Sequence, residues 1–240
     1  MRAKALDQFL YLLWYRTKSI FLSPFHWCLV GVYWLLLGYI FALLIEQTGR
    51  AYLGAPIWWC ALFSMMGSPI LCMNLFSKNN RADFTLLLQT IQIPSSCIIL
   101  SHYIPLLMLF LIIDSCLLTQ WVFLKHYGNP DLGLHASAFL GLFALQAAYL
   151  SLGILCAAMT RSNLSSLFSH FGLLVTSWLL YYANHLFQDN LMWVSNILRE
   201  FSLYKHFYAF LQGAYFEHDA LALCICIILP LYFASLALKK

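Results

Sequence analysis

The sequence predicts an all-α membrane protein with six transmembrane helices and both termini on the cytoplasmic side. Of its 240 residues, 62% are hydrophobic and 9% are charged, against roughly a quarter charged in soluble domains. The apolar residues also fall into long runs, each close to the ~20 residues that a helix needs to cross a hydrocarbon core. Finally, the basic residues are divided unequally between the two sides that such runs would define.

The runs cover residues 27–44, 57–76, 98–124, 136–159, 164–186 and 220–238. The third contains His102, Pro105 and Asp114, which predicts a kink or a tilt. The fifth opens with Ser165, Ser166 and Ser169, small polar residues suited to close helix contact in lipid. With the amino terminus inside, the inner segments hold Arg2, Lys4, Arg16, Lys18, Lys78, Arg81, Arg161, Lys239 and Lys240, and the outer ones Arg50, Lys125, Arg199 and Lys205. That bias sets the orientation.

Three further segments are predicted to be ordered without spanning. Residues 3–22 place Leu6, Leu10, Leu13 and Trp14 near one helical face beside Arg16 and Lys18, which reads as an amphipathic helix on the inner leaflet. Residues 77–97 begin polar and turn apolar through Phe84, Leu86, Leu87 and Leu88, as expected of a short helix under the membrane. Residues 187–219 carry Leu191, Trp193, Val194, Ile197, Leu198 and Phe201, an outer loop apolar enough to pack over the bundle or dip into it. There is no internal repeat.

The chemistry carried by these residues excludes several classes. The net charge of +4 is small and its sources are scattered, so nucleic acid is not an expected partner. The eight cysteines form no Cys-x-x-Cys pair and lie in or beside apolar runs, where cysteine acts as a small hydrophobe. No phosphate-binding Gly-x-x-x-x-Gly-Lys and no His-Glu-x-x-His occurs. Gly67-Ser68-Pro69 is a poor match to a nucleophile elbow. The eight histidines make no i, i+4 pair with one another, so neither a metal nor another cofactor is expected in this chain. The amino-terminal segment shows no small-residue cleavage site, and the first span is expected to be retained.

Asp114 is the acid placed well inside a span. Its insertion costs about 2.5–3.5 kcal/mol, so it is expected to face the bundle, either lining a pathway or bonding a neighbouring helix. Trp58-Trp59, Trp121, Trp178, Tyr181-Tyr182 and Trp193 lie mostly near span ends, as in an interfacial belt.

Several stretches resemble the membrane subunits of ABC-2 type transporters, in particular the half-size permeases similar to the gliding-motility and nitrous-oxide accessory permeases. Phe21-Leu22-Ser23-Pro24-Phe25 is similar to the segment before the first span. Residues 69–76, Arg81 and Phe84-Thr85-Leu86-Leu87-Leu88-Gln89-Thr90 resemble the turn and Leu-Leu-rich helix after the second. Gly153-Ile154-Leu155-Cys156-Ala157-Ala158-Met159-Thr160-Arg161-Ser162-Asn163 resembles the inner turn between spans four and five. Residues 207–219, with Phe210 and Gly213, resemble the aromatic-glycine-aspartate stretch before the last span. Ser77 and Lys78 stand where the family carries acids, Ala82 and Asp83 replace its Gly-Thr, and Ile91 takes the place of a proline.

The resemblance implies a permease in the cytoplasmic (inner) membrane of a bacterium, moving cargo outward as a homodimer or as a heterodimer with a similar permease. ATP and magnesium would sit on a separate ABC ATPase subunit. Lys78, Asn80, Arg81 and Asp83 would touch that ATPase through a coupling helix. A haem-exporter-like permease, an intramembrane enzyme working through Asp114, His102 and Ser68, and a non-transporting assembly subunit are the alternatives.

Overall fold

The computed structural model of the protein describes residues 2–48, 53–76, 94–160, 162–182, 192–214 and 216–238. Within these residues the chain is all-helical. The helices are α1 (Arg2–Leu22), α2 (Pro24–Thr48), α3 (Gly54–Cys72), α4 (Ser95–Tyr127), α5 (Leu132–Met159), α6 (Asn163–Tyr181), α7 (Met192–Glu200), α8 (Leu203–Leu211) and α9 (Glu217–Ala237).

Six of them, α2 to α6 and α9, are long and apolar enough to cross a membrane, and they fall on the six predicted runs. The chain is therefore an integral membrane protein. Boundaries differ in ways that local chemistry explains. The second run reaches Phe76, but α3 stops at Cys72 and residues 73–76 turn. The fifth run ends five residues beyond Tyr181, where α6 closes with the Tyr182 N–H bonded to the carbonyls of Leu179 and Leu180. The third run is one unbroken helix of 33 residues, about 50 Å long at 1.5 Å per residue. A hydrocarbon core of ~30 Å obliges such a helix to tilt or protrude. Pro69, Pro105 and Pro230 all remain inside helices, which membrane spans tolerate because neighbours re-satisfy the freed backbone.

Helix α5 is the axis of the bundle and packs against α3, α4, α6, α8 and α9. Two-thirds of its most apolar stretch is buried (67%), against 17% for α2 and for α9. The reason lies in its small residues. In lipid, apolar side chains gain little by leaving the solvent, and close van der Waals approach has to drive association. Ala147, Ala148, Gly153, Ala157 and Ala158 give α5 that closeness. Ser151 adds a hydrogen bond from its Oγ to the Cys226 carbonyl of α9 at 2.9 Å. A Cβ at Gly141 would run into the Cβ of Phe210 on α8, and one at Gly153 would lie 2.5 Å from the His170 ring of α6. Asp131 starts α5 by accepting from the Gly133 and Leu134 amides, which satisfies two otherwise orphaned N–H groups.

Two apolar clusters result. One joins Leu37, Ile57, Leu145, Tyr149, Trp178 and Phe207. The other joins Val30, Ile99, Phe110, Leu150, Ile154 and Ala234. Helix α1 lies against α4. Its Leu12 and Ile20 pack onto the second cluster, while Leu10 and Trp14 point away and are exposed. All eight cysteines carry free thiols.

Candidate functional site

Asp114, near the middle of α4, is 6% exposed and faces α3 and α5. Its Oδ1 accepts from the Gln146 amide of α5 at 3.0 Å and from the Cys60 thiol of α3 at 3.4 Å. The second N–H of Gln146 goes to Ser64 Oγ at 3.0 Å, and Ser64 in turn donates to the Cys60 carbonyl at 2.8 Å. Three spans are thus tied at one point by a carboxyl, an amide, a hydroxyl and a thiol. Tyr33 of α2 adds a fourth helix nearby, with its O–H donating to the Phe63 carbonyl over Gly67, which has no Cβ to obstruct it.

This cluster borders a cavity of about 290 Å³ between α4 and α5, lined by Leu111, Asp114, Leu118, Phe139, Leu140 and Phe143. A second cavity, of about 190 Å³, shares Leu118 and Phe139 and extends past Trp121 to His135. Lys125 does not reach Asp114. Its ammonium sits over the Trp121 ring, 5.3 Å from the centroid.

A second buried polar site joins α7, α8 and α9. His206 and Asp219 are each 3% exposed, and His206 Nδ1 lies 2.6 Å from Asp219 Oδ1. His206 Nε2 is 3.0 Å from the Glu200 carbonyl. A carbonyl only accepts, so that nitrogen carries a hydrogen. His218 reaches the same carboxylate oxygen at 3.2 Å. Asp219 stands in the first turn of α9, where the helix dipole favours negative charge. Beside this site, Trp58 donates to Tyr204 Oη at 2.9 Å and Trp178 donates to Tyr149 Oη at 2.5 Å. Trp58 and Trp178 therefore bolt α3, α5, α6 and α8 together, a task beyond the interfacial belt their positions predict.

The residues singled out in the sequence are distributed unevenly over these sites. Asp114 is inside the bundle and bonded to neighbouring helices, as its burial cost required. Lys78, Asn80, Arg81 and Asp83 lie outside the described residues. Among the described residues, Ser68 Oγ and His102 Nε2 are buried without hydrogen-bond partners, while His102 Nδ1 bonds the Ile98 carbonyl of its own helix. Ser68 and His102 therefore do not form a relay with each other or with Asp114. Sequence reasoning passed over Cys60, Ser64 and Gln146. Gln146, an amide in the middle of an apolar run, was the available signal, because a polar side chain at that depth needs a partner. His206 gave no such signal and read as an ordinary loop residue, while Asp219 entered only as the last residue of the aromatic-glycine-aspartate stretch, with no partner indicated.

Among the described residues, no group of three or more His, Cys, Asp or Glu side chains is arranged to hold a metal ion. Compared with known proteins, this chain matches no family model, no curated protein and no solved structure.

Proposed function

We propose that this chain is the membrane-spanning permease subunit of an ATP-driven ABC transporter of the ABC-2 type, working as an exporter with a separate ATPase. The observation that supports this reading most is the layout along the chain. A helix lying against the bundle (α1) precedes six apolar helices, and two short helices (α7 and α8) stand before the last of them. The same order follows from the resemblance carried by the Ser23-Pro24, Gly153 to Asn163 and Phe207 to Asp219 stretches.

In this reading the amino and carboxyl termini are cytoplasmic, following the distribution of Lys and Arg. Helix α1 rests on the inner leaflet with Leu10 and Trp14 toward lipid. Residues 77–90 form the contact with the ATPase, through Lys78, Asn80, Arg81 and Asp83. A permease without a nucleotide site of its own receives work mechanically. Closure of the ATPase around ATP would push this segment and shift the spans between two packed arrangements. Two copies, or this chain and a similar one, would make the complete pore. The small residues along α5 favour rigid helix groups that move as units.

The test is recovery of the partner. Affinity purification of the full chain in mild detergent should bring down a protein with nucleotide-binding motifs. Arg81→Glu should reduce that recovery, and deletion of residues 78–83 should abolish it. Recovery unchanged by both alterations sinks the coupling role. Labelling of a cysteine placed at Asn80 from the side opposite the cytosol would overturn the topology.

A further inference from the structure

The carboxyl of Asp114 is used on one side only. Both of its hydrogen bonds, from Gln146 and from Cys60, end on Oδ1, and among the described residues none reaches Oδ2. The residue nevertheless lines the cavity between α4 and α5, where its five companions are Leu111, Leu118, Phe139, Leu140 and Phe143. A carboxyl oxygen without a donor is costly at this depth. Here it forms the polar spot in an otherwise apolar cavity. The mouth opens sideways: Leu111, Leu118 and Leu140 are 51%, 54% and 61% exposed, on helices long enough to span a bilayer.

We propose that this groove binds single-chain amphiphilic amines dissolved in the bilayer, with Asp114 as the counter-ion of the amine and the apolar walls holding its chain. An N–H donor of positive charge is what the open oxygen lacks, and an ammonium supplies both in one group. Entry conserves charge by either route. An ammonium can meet the carboxylate, or a neutral free amine can take the proton of the carboxylic acid, and both end as the same ammonium–carboxylate pair.

Depth and volume narrow the class. Asp114 lies three residues past Leu111, the midpoint of α4, about 4–5 Å along the helix axis. A phospholipid headgroup is permanently charged and held at the membrane surface, whereas a single-chain amine can shed its proton and reach the span interior as the neutral free base. The two cavities, of about 290 and 190 Å³, lie below the roughly 300–1,000 Å³ usual for ligand sites. That suits one hydrocarbon chain and excludes a two-tailed lipid. The site stands whether or not the chain pairs with an ATPase.

The experiment is photolabelling of the full chain in lipid nanodiscs with a dodecylamine carrying a diazirine at the end of its tail, with adducts mapped by mass spectrometry. Labels should fall on α4 and α5 at the far end of the two cavities, around Trp121, Leu132 and Ala136, and excess dodecylamine should remove them while dodecanol does not. Asp114→Asn should weaken labelling at least about tenfold, the equivalent of ~1.4 kcal/mol. Should that variant fail to fold, Leu140→Trp, which fills the mouth and leaves Asp114 in place, should abolish the same labels. Labelling that persists in the folded Asp114→Asn or in Leu140→Trp overturns the proposal, as does equal competition by dodecanol. Disulfide formation between two copies of Leu140→Cys would show the groove to be a seam between protomers and would also overturn it.

Discussion

His206 of α8 and Asp219 of α9 meet at 2.6 Å across a junction where each is 97% shielded from solvent, and the second nitrogen of the histidine is held by the Glu200 carbonyl at the end of α7. His206 therefore ties the end of α7 and the start of α9 to α8. Removing Asp219 leaves His206 buried with the Glu200 carbonyl alone, and removing His206 leaves the buried Asp219 with only the exposed His218. Asp219→Ala and His206→Ala should each cost about 3–5 kcal/mol. The double variant should cost less than the sum of the two. Thermal challenge in detergent, read as the surviving monodisperse fraction, measures this. Additive losses would show that the two residues act separately.

At the centre of the bundle, Gln146 spends both of its N–H groups, one on Asp114 and one on Ser64. Interhelical hydrogen bonds in membranes contribute about 0.6 kcal/mol on average, and a stranded buried acceptor raises the cost of losing one. Gln146→Leu should therefore destabilise by about 1–2 kcal/mol. Gln146→Glu should be worse, because it sets two carboxyls against each other. A Gln146→Leu protein as heat-resistant as the parent would mean that the cluster is not a stabilising tie.

Two glycines on apolar spans should respond with opposite signs. At Gly38 of α2 an added Cβ meets nothing within 4 Å, whereas at Gly141 it collides with Phe210. Gly38→Ala should leave stability unchanged or raise it by up to ~1 kcal/mol, since glycine is a poor helix former. Gly141→Ala should push α8 away from α5 and lower stability by about 1–3 kcal/mol. Comparing the two melting temperatures in the same detergent tests the packing directly.

One pH effect follows from the surface pair Glu200–Lys205. The Lys205 ammonium hydrogen-bonds the Glu200 carboxylate and holds it below the ordinary glutamate value of 4.5. A carboxylate depressed in the folded state adds stability above its unfolded pKa and loses it as pH falls through the lower, folded value. Stability from this pair should thus be constant from neutrality down to about pH 5. It should disappear only under more acid conditions. Glu200 is more than half exposed, so the effect is at most about 1 kcal/mol. Lys205→Met should remove it, which is visible as a smaller difference between melting temperatures at neutral and acid pH.

The six spans were legible in the sequence because they depend on one quantity, the apolar length needed to cross a bilayer, which a run of residues states directly. The depth of Asp114 was legible for the same reason. Its partners were not. A helix that is hydrophobic on every side carries no polar face to mark its outside, so the period of the pattern does not say which residues look inward. Gln146 was a polar residue without an address, and Cys60 was one of eight similar cysteines.

What the sequence determined by itself is that this chain forms spans, and roughly where the six among the described residues lie. The solvent forces that outcome, because a backbone in lipid has to satisfy its own hydrogen bonds as a helix. Tertiary structure alone decided that α5 is the axis, that Asp114 shares one oxygen with α3 and α5 and borders the apolar cavity between α4 and α5, and that His206 finds Asp219. Those outcomes depend on close contact between helices of nearly uniform hydropathy. Small residues and a few polar atoms choose the contacts there, and their choice exists only once the helices are packed.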